Sequence, residues 1–204
     1  MSEAMSWTEE DVPDQTGKIA IVTGGNSGIG YETVRILAVR GAHVILAVRN
    51  SIKGNEAVSR IMAELPSANV ETQPLDLADL SSVKDFASKF KEREIPLHML
   101  INNAGIMGVP KGSTVDGFEL QFGINHLGHF ALTGHLIESL LAERNGRIVN
   151  VASNAHRQGR LNFYDLQSTY RYGRMRAYAQ SKLANLVFTA ELDRRLNRAG
   201  RDDT

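Results

Sequence analysis

Tyr178 stands four residues before Lys182 in RAYAQSKLANL, the stretch from Arg176 to Leu186. Residues four apart on a helix share a face, so a helical segment brings the lysine ammonium within reach of the phenol. A free phenol titrates near about 10 and is a poor proton partner at neutral pH unless a nearby positive charge favours its anion. The pair is therefore a candidate acid and base. The same spacing also occurs on helix surfaces that carry no chemistry, so its meaning depends on what accompanies it.

A second pattern lies near the N-terminus. TGGNSGIG, Thr23 to Gly30, follows a short β-branched run and leads into an amphipathic one. Glycine permits positive φ and close backbone approach, and the start of a helix offers unpaired amides and a positive dipole end to phosphate. Gly24, Asn26, Ser27, Gly28, Ile29 and Gly30 thus form a candidate pyrophosphate cradle. The next β-branched run ends in AVRN, placing Arg49 where a fold selecting NAD carries an acidic residue. An arginine there can pair with a 2′-phosphate through its planar fork, favouring NADP, although an exposed surface arginine fits the same position. Asp76, in PLDLADL with Leu77, could accept a hydrogen bond from an adenine amine or simply cap the following loop.

The elements that must position these residues alternate. Lys18 to Gly24, His43 to Val48, Asn69 to Leu77, Leu97 to Asn103 and Arg147 to Ser153 read as strands. Helical periodicity covers Gly28 to Arg40, Ser51 to Leu65, Asp79 to Arg93, Asp116 to Glu143 and Arg176 to Ala199. Such alternation implies right-handed crossovers and a doubly wound parallel sheet with helices on both faces. Ligands of these sheets bind beyond the carboxyl ends of the strands, where the two patterns lie. No repeat or linker divides the chain, which reads as an N-terminal extension (1–17) followed by one dinucleotide-binding domain (18–204).

Composition narrows the classes. Lysine plus arginine and aspartate plus glutamate are 23 each in 204 residues, so no net field recruits nucleic acid or an anionic membrane. The chain contains no cysteine, which excludes disulfides and thiolate metal sites and fits a reducing, cytoplasmic setting. The acidic first residues resemble no signal segment, and no apolar run approaches a membrane span.

Together, Gly24-x3-Gly28-x-Gly30, NNAG at Asn102 to Gly105, Asn125, Ser153 and Tyr178-x3-Lys182 resemble the short-chain dehydrogenases/reductases, in order and region, from about Lys18 to Ala199. NHLGHF (Asn125 to Phe130), SNAH (Ser153 to His156) and SKLAN (Ser181 to Asn185) look most like the retinol-dehydrogenase-like branch, which includes relatives with a WW domain. Light-dependent protochlorophyllide reductases are similar more distantly. The resemblance implies a Rossmann-type fold and NAD(P)-dependent interconversion of an alcohol and a carbonyl. By it, Tyr178 would exchange a proton with the substrate oxygen, and Lys182 would favour the phenolate and hold the nicotinamide ribose. Ser153 would hold the substrate oxygen, and Asn125 a water linking Lys182 to solvent. Asn103 would lie by the cofactor, or tie strands together.

His126, His129 and His135 fall on one predicted helix, and the first two could share a face as metal ligands; no acidic or cysteine ligand has suitable spacing, so no metal is expected. Phe118, Phe122, Leu127, Phe130, Leu136 and Leu140 on that helix read as core or subunit contacts, and the resemblance implies a homo-oligomer through this helix and that of Tyr178. Between Ser153 and Tyr178, Leu161, Phe163, Tyr164, Leu166, Tyr170 and Tyr172, with Ile106 to Pro110, could line a pocket for a small apolar substrate or pack their loop onto the sheet. The family continues past the tyrosine helix into a sixth strand, a Pro-Gly turn, a substrate loop and a seventh strand, whereas this sequence ends at Asn197 to Thr204. The expected fold is thus truncated before the last strands. A non-catalytic nucleotide-binding or interaction module is the alternative to an NADP-preferring oxidoreductase.

Overall fold

The computed structural model describes residues 8–201. Five parallel strands form one sheet in the order β3-β2-β1-β4-β5. They are β1 (Ile19–Thr23), β2 (His43–Val48), β3 (Val70–Pro74), β4 (Met99–Asn102) and β5 (Arg147–Asn150). Strand order reverses between β1 and β4, which pair from Ala20–Met99 to Val22–Ile101, so the chain diverges above their carboxyl ends and leaves a crevice there.

Alternation along each strand sends side chains into two layers. Ala20 and Val22 of β1, with Val44 and Leu46 of β2, meet Val34 and Ala38 of α1 (Gly28–Val39) and Ala57 and Ile61 of α2 (Ser51–Glu64). On the opposite face Ile21, Ile45 and Leu100 meet Phe86 and Phe90 of α3 (Leu80–Lys91) and Leu132 and Leu136 of α5 (Gly128–Leu141). Caps start two of these helices: the Asn50 side chain accepts from the Lys53 amide at 3.0 Å, and Asp79 from that of Ser81 at 2.8 Å. Tyr178 and Lys182 lie on α6 (Arg174–Arg198). Among the described residues no helix is long and apolar enough to cross a membrane.

Several expected elements are shorter or broken. The helix expected from Asp116 to Glu143 begins instead at α4 (Leu120–Phe122), because Gly117 turns at φ +84° and the Glu119 carboxylate caps the amides of Gln121 and Phe122. It then widens into a π-turn (Gly123–Leu127), with the Gly128 amide bonded to the Gly123 carbonyl, before α5. β3 stops at Pro74, and the Asp76 amide donates to Ser82 Oγ rather than to the sheet. β5 stops at Asn150, since the carbonyl of Val151 turns to accept from Lys182 Nζ at 2.8 Å.

Of the N-terminal extension, residues 1–7 lie outside the described residues, as do 202–204 of the domain. Its remainder packs on α1: the Glu9 carboxylate meets Arg35 at 2.6 Å and the Glu9 carbonyl accepts from Arg40. His126 and His129 do not share a face as a ligand pair. His126 sits among Phe122, Phe130 and Phe188 with Nδ1 at 3.1 Å from Asn185 Oδ1, whereas His129 turns to Thr23. Phe122, Leu136 and Leu140 are core, while Phe130 is 54% exposed.

Candidate active site

The floor of the crevice is built from β1 and β4. Thr23 ends β1, and Gly24 turns the chain at φ +67°, where a side chain would lie 3.0 Å from Ala104. Gly30 is needed for contact instead of conformation: a Cβ there would stand 2.4 Å from Asn103 Nδ2 and 2.5 Å from the Gly24 carbonyl. Ser27 opens α1 with extended backbone and no side-chain cap, leaving first-turn amides for another acceptor. Asn103 ties the turn to β4, its amide donating to Thr23 Oγ1 and its Nδ2 to the Thr23 carbonyl, each at 2.9 Å.

One cavity of about 610 Å³ runs from this turn to α6. Gly24, Asn26, Ser27, Ile29, Gly30, Arg49, Asp76, Leu77, Asn103, Ser153, Tyr178 and Lys182 all line it. Gly28, at φ +54°, and Asn125 do not. Arg49 is exposed at the end of β2. Asp76 caps its own loop, its Oδ1 accepting from the Ala78 amide at 2.9 Å, yet it faces the cavity as well.

The other end of the cavity holds the titratable pair. Tyr178 and Lys182 share a buried face of α6, with Nζ 5.9 Å from the centre of the phenol ring. Burial pushes the pKa of Lys182 below its ordinary range, and the Val151 carbonyl accepts a hydrogen bond from its Nζ. Ser153 caps a 3₁₀ turn (Asn154–Gln158) by accepting from the Ala155 amide at 3.2 Å, which leaves its own hydroxyl proton to donate. Asn125 lies behind the wall. Its Oδ1 accepts from the Ile106 amide at 2.8 Å, and its Nδ2 donates to the Ile106 carbonyl and to Ser181 Oγ.

Other members of the site have roles that the motifs do not state. Ser181, fully buried, accepts from Asn125 and donates to the Tyr178 carbonyl, bracing the tyrosine from behind. Leu75, Val151 and Ala152 also line the cavity, as do Ile106 and Met107 of the stretch expected to do so. Phe163, Tyr164 and Tyr170, read as either pocket lining or loop packing, are 77%, 99% and 88% exposed and do not line the cavity. Tyr172 serves their loop, donating from its hydroxyl to the Val109 carbonyl.

The cavity fits a dinucleotide on physical grounds: a cradle that any Cβ at Gly30 would fill, free amides at a helix start, a guanidinium at one end and a buried ammonium at the other. The fold is of the doubly wound, Rossmann-like class, with its cavity at the carboxyl edge of the sheet. The sequence profile of the short chain dehydrogenase family matches residues 18–200, and the chain belongs to that family. Retinol dehydrogenase 12 of Mus musculus is 50% identical over 184 residues, which are 90% of this chain and 58% of that protein. The WW domain-containing oxidoreductase of Homo sapiens is 47% identical over 195 residues, 92% of this chain and 47% of its own length. Within the family, the chain therefore falls in the retinol-dehydrogenase-like branch. A crystal structure of an uncharacterised protein from Mycobacterium paratuberculosis superposes with a TM-score of 0.84 and 49% identity, covering 95% of this chain and 68% of the other. The chain spans about half the length of the curated relatives it matches.

Proposed function

We propose that the protein is an NADP-preferring oxidoreductase that interconverts an alcohol and a carbonyl on a small apolar substrate. The observation that carries this reading is one cavity joining the glycine turn and Arg49 to Ser153, Tyr178 and Lys182. The first-turn amides of α1 would hold the pyrophosphate, Arg49 a 2′-phosphate, and Asp76, Leu77 and Asn103 the adenosine and central region. NADP, when bound, supplies or takes the hydride.

The chain's own groups manage the oxygen. The Ser153 hydroxyl holds it by hydrogen bonding beside Tyr178, whose phenol gives up its proton in reduction and takes one in oxidation. The Lys182 charge stabilises the anion developing on the phenol oxygen. A Cβ built at Gly105 would lie 3.2 Å from Asn125 Oδ1 and 3.6 Å from Lys182 Nζ, so both polar atoms approach the backbone of this one glycine. A water beside them would use the second lone pair of Asn125 Oδ1 to link Lys182 to solvent. Met107 and Ile106 give the open end of the cavity an apolar rim suited to the kind of substrate that the retinol dehydrogenase's name states for that protein.

The same reading divides the chain into an extension (1–17) and one dinucleotide-binding domain (18–204), set in the cytoplasm. It pairs two copies through α5 and α6, where Phe130 and Phe188 lie 5.2 Å apart beside exposed Val187. Fluorescence titration of the folded chain with NADPH and with NADH tests the cofactor reading. Tighter binding of NADPH, followed by its oxidation with an apolar aldehyde or ketone, is the expected result. A folded protein that bound NADPH but turned over no carbonyl would leave the non-catalytic nucleotide-binding module standing instead.

A further inference from the structure

His129 is 3% exposed on α5 and does not line the cavity, yet it joins two groups that bracket it. Its Nε2 lies 2.8 Å from Thr23 Oγ1 and its Nδ1 3.1 Å from the Asn125 carbonyl. Counting hydrogens assigns the roles. Thr23 Oγ1 already accepts the amides of Asn103 and Ala104, each at 2.9 Å, which occupies both of its lone pairs. Its single proton can go to His129 Nε2 at 2.8 Å or to the Ile101 carbonyl at 3.5 Å, and the shorter contact is the stronger. Nε2 therefore accepts, so the ring's own hydrogen sits on Nδ1 and meets the Asn125 carbonyl. The opposite tautomer would aim an N–H at a saturated oxygen and a lone pair at a carbonyl. A cation would do the first as well, and the nearby Lys182 charge opposes it.

The two ends of this bridge belong to different halves of the site. Thr23 precedes Gly24 and holds the amides of the Asn103–Ala104 loop. Asn125 holds Ile106 and passes through Ser181 to the backbone of Tyr178. We infer that His129, as its neutral Nδ1–H tautomer, is a positioning residue that latches the glycine turn to the tyrosine helix and keeps the cofactor and proton-transfer halves at one spacing. This latch rests on the oxidoreductase reading for its purpose but not for its geometry.

Nitrogen NMR of the imidazoles in the ¹⁵N-labelled full chain at neutral pH reads the tautomer directly. The expected result is His129 with Nδ1 protonated and Nε2 bare. Thr23→Val, which removes the hydroxyl donor and strands two buried amides, should abolish that preference and weaken NADPH binding about tenfold, whereas Thr23→Ser should keep both. A protonated Nε2 in the unmodified protein overturns the latch, with no variant needed. Unchanged NADPH affinity in Thr23→Val overturns it too. Absence of NADPH binding from the unmodified protein counts against the oxidoreductase reading, and the tautomer then decides the latch alone.

Discussion

Acidification should loosen this protein through His129 well before carboxylates begin to titrate widely. Burial holds the imidazole down at about 4 in the fold, against 6.5 when it is free, with Lys182 and His126 adding to the effect and the Asn125 carbonyl opposing it. A group depressed in the folded state costs nothing above 6.5; as pH falls further, the unfolded chain binds the proton and the fold does not. Stability is therefore lost progressively between 6.5 and about 4, and the gap corresponds to about 3 kcal/mol. His98 and His126 are also held low by burial, so they too withdraw stability as pH falls below 6.5. The His129 share is isolated by comparing the protein with His129→Gln, in urea unfolding followed by circular dichroism across that range. The variant should start less stable at neutral pH but lose stability less steeply, by up to about 1.4 kcal/mol per pH unit. Parallel pH slopes for the two proteins would refute the reasoning.

The remaining expectations concern the cavity. Arg49→Asp should weaken NADPH binding by about ten- to a hundredfold while leaving NADH binding within a small factor, by fluorescence titration; equal losses for both would remove Arg49 from the 2′-phosphate. Tyr178→Phe should lower kcat/KM by about a thousandfold with NADPH affinity retained, and normal turnover would end its assignment as acid and base. Gly30→Ala drives a methyl to within 2.4 Å of Asn103 Nδ2 and 2.5 Å of the Gly24 carbonyl, so it should cost about 2 kcal/mol in urea unfolding and weaken NADPH binding. Unfolding of Gly30→Ala at the same urea concentration as the parent would contradict that close packing.

Local chemistry and period settled much of this molecule before any folding was considered. The two-residue alternation of the strands and the 3.6-residue stripe of the helices specify layers, and strict βα alternation specifies a parallel sheet with a crevice at its carboxyl edge. Glycines before a helix and a tyrosine one turn from a lysine are written in consecutive residues, so the two ends of the site were legible as motifs. Their joining was not. Only the sheet order β3-β2-β1-β4-β5 brings the loop after β1 beside the loop after β4 and sets α6 across from both. Asn125 reads as a site residue by resemblance, but its commitment to Ile106 and Ser181 depends on a π-turn that no periodicity announces. His129 shows in the sequence only as a neighbour of His126 on one helix, and the fold turns it onto Thr23, 106 positions distant. Phe163 and Tyr164 fit either a pocket or loop packing by sequence, and in the fold both face solvent. Sequence spacing constrains what one element can present, whereas contacts between elements follow from packing, and there the hydrogen-bond partners of a buried side chain are decided.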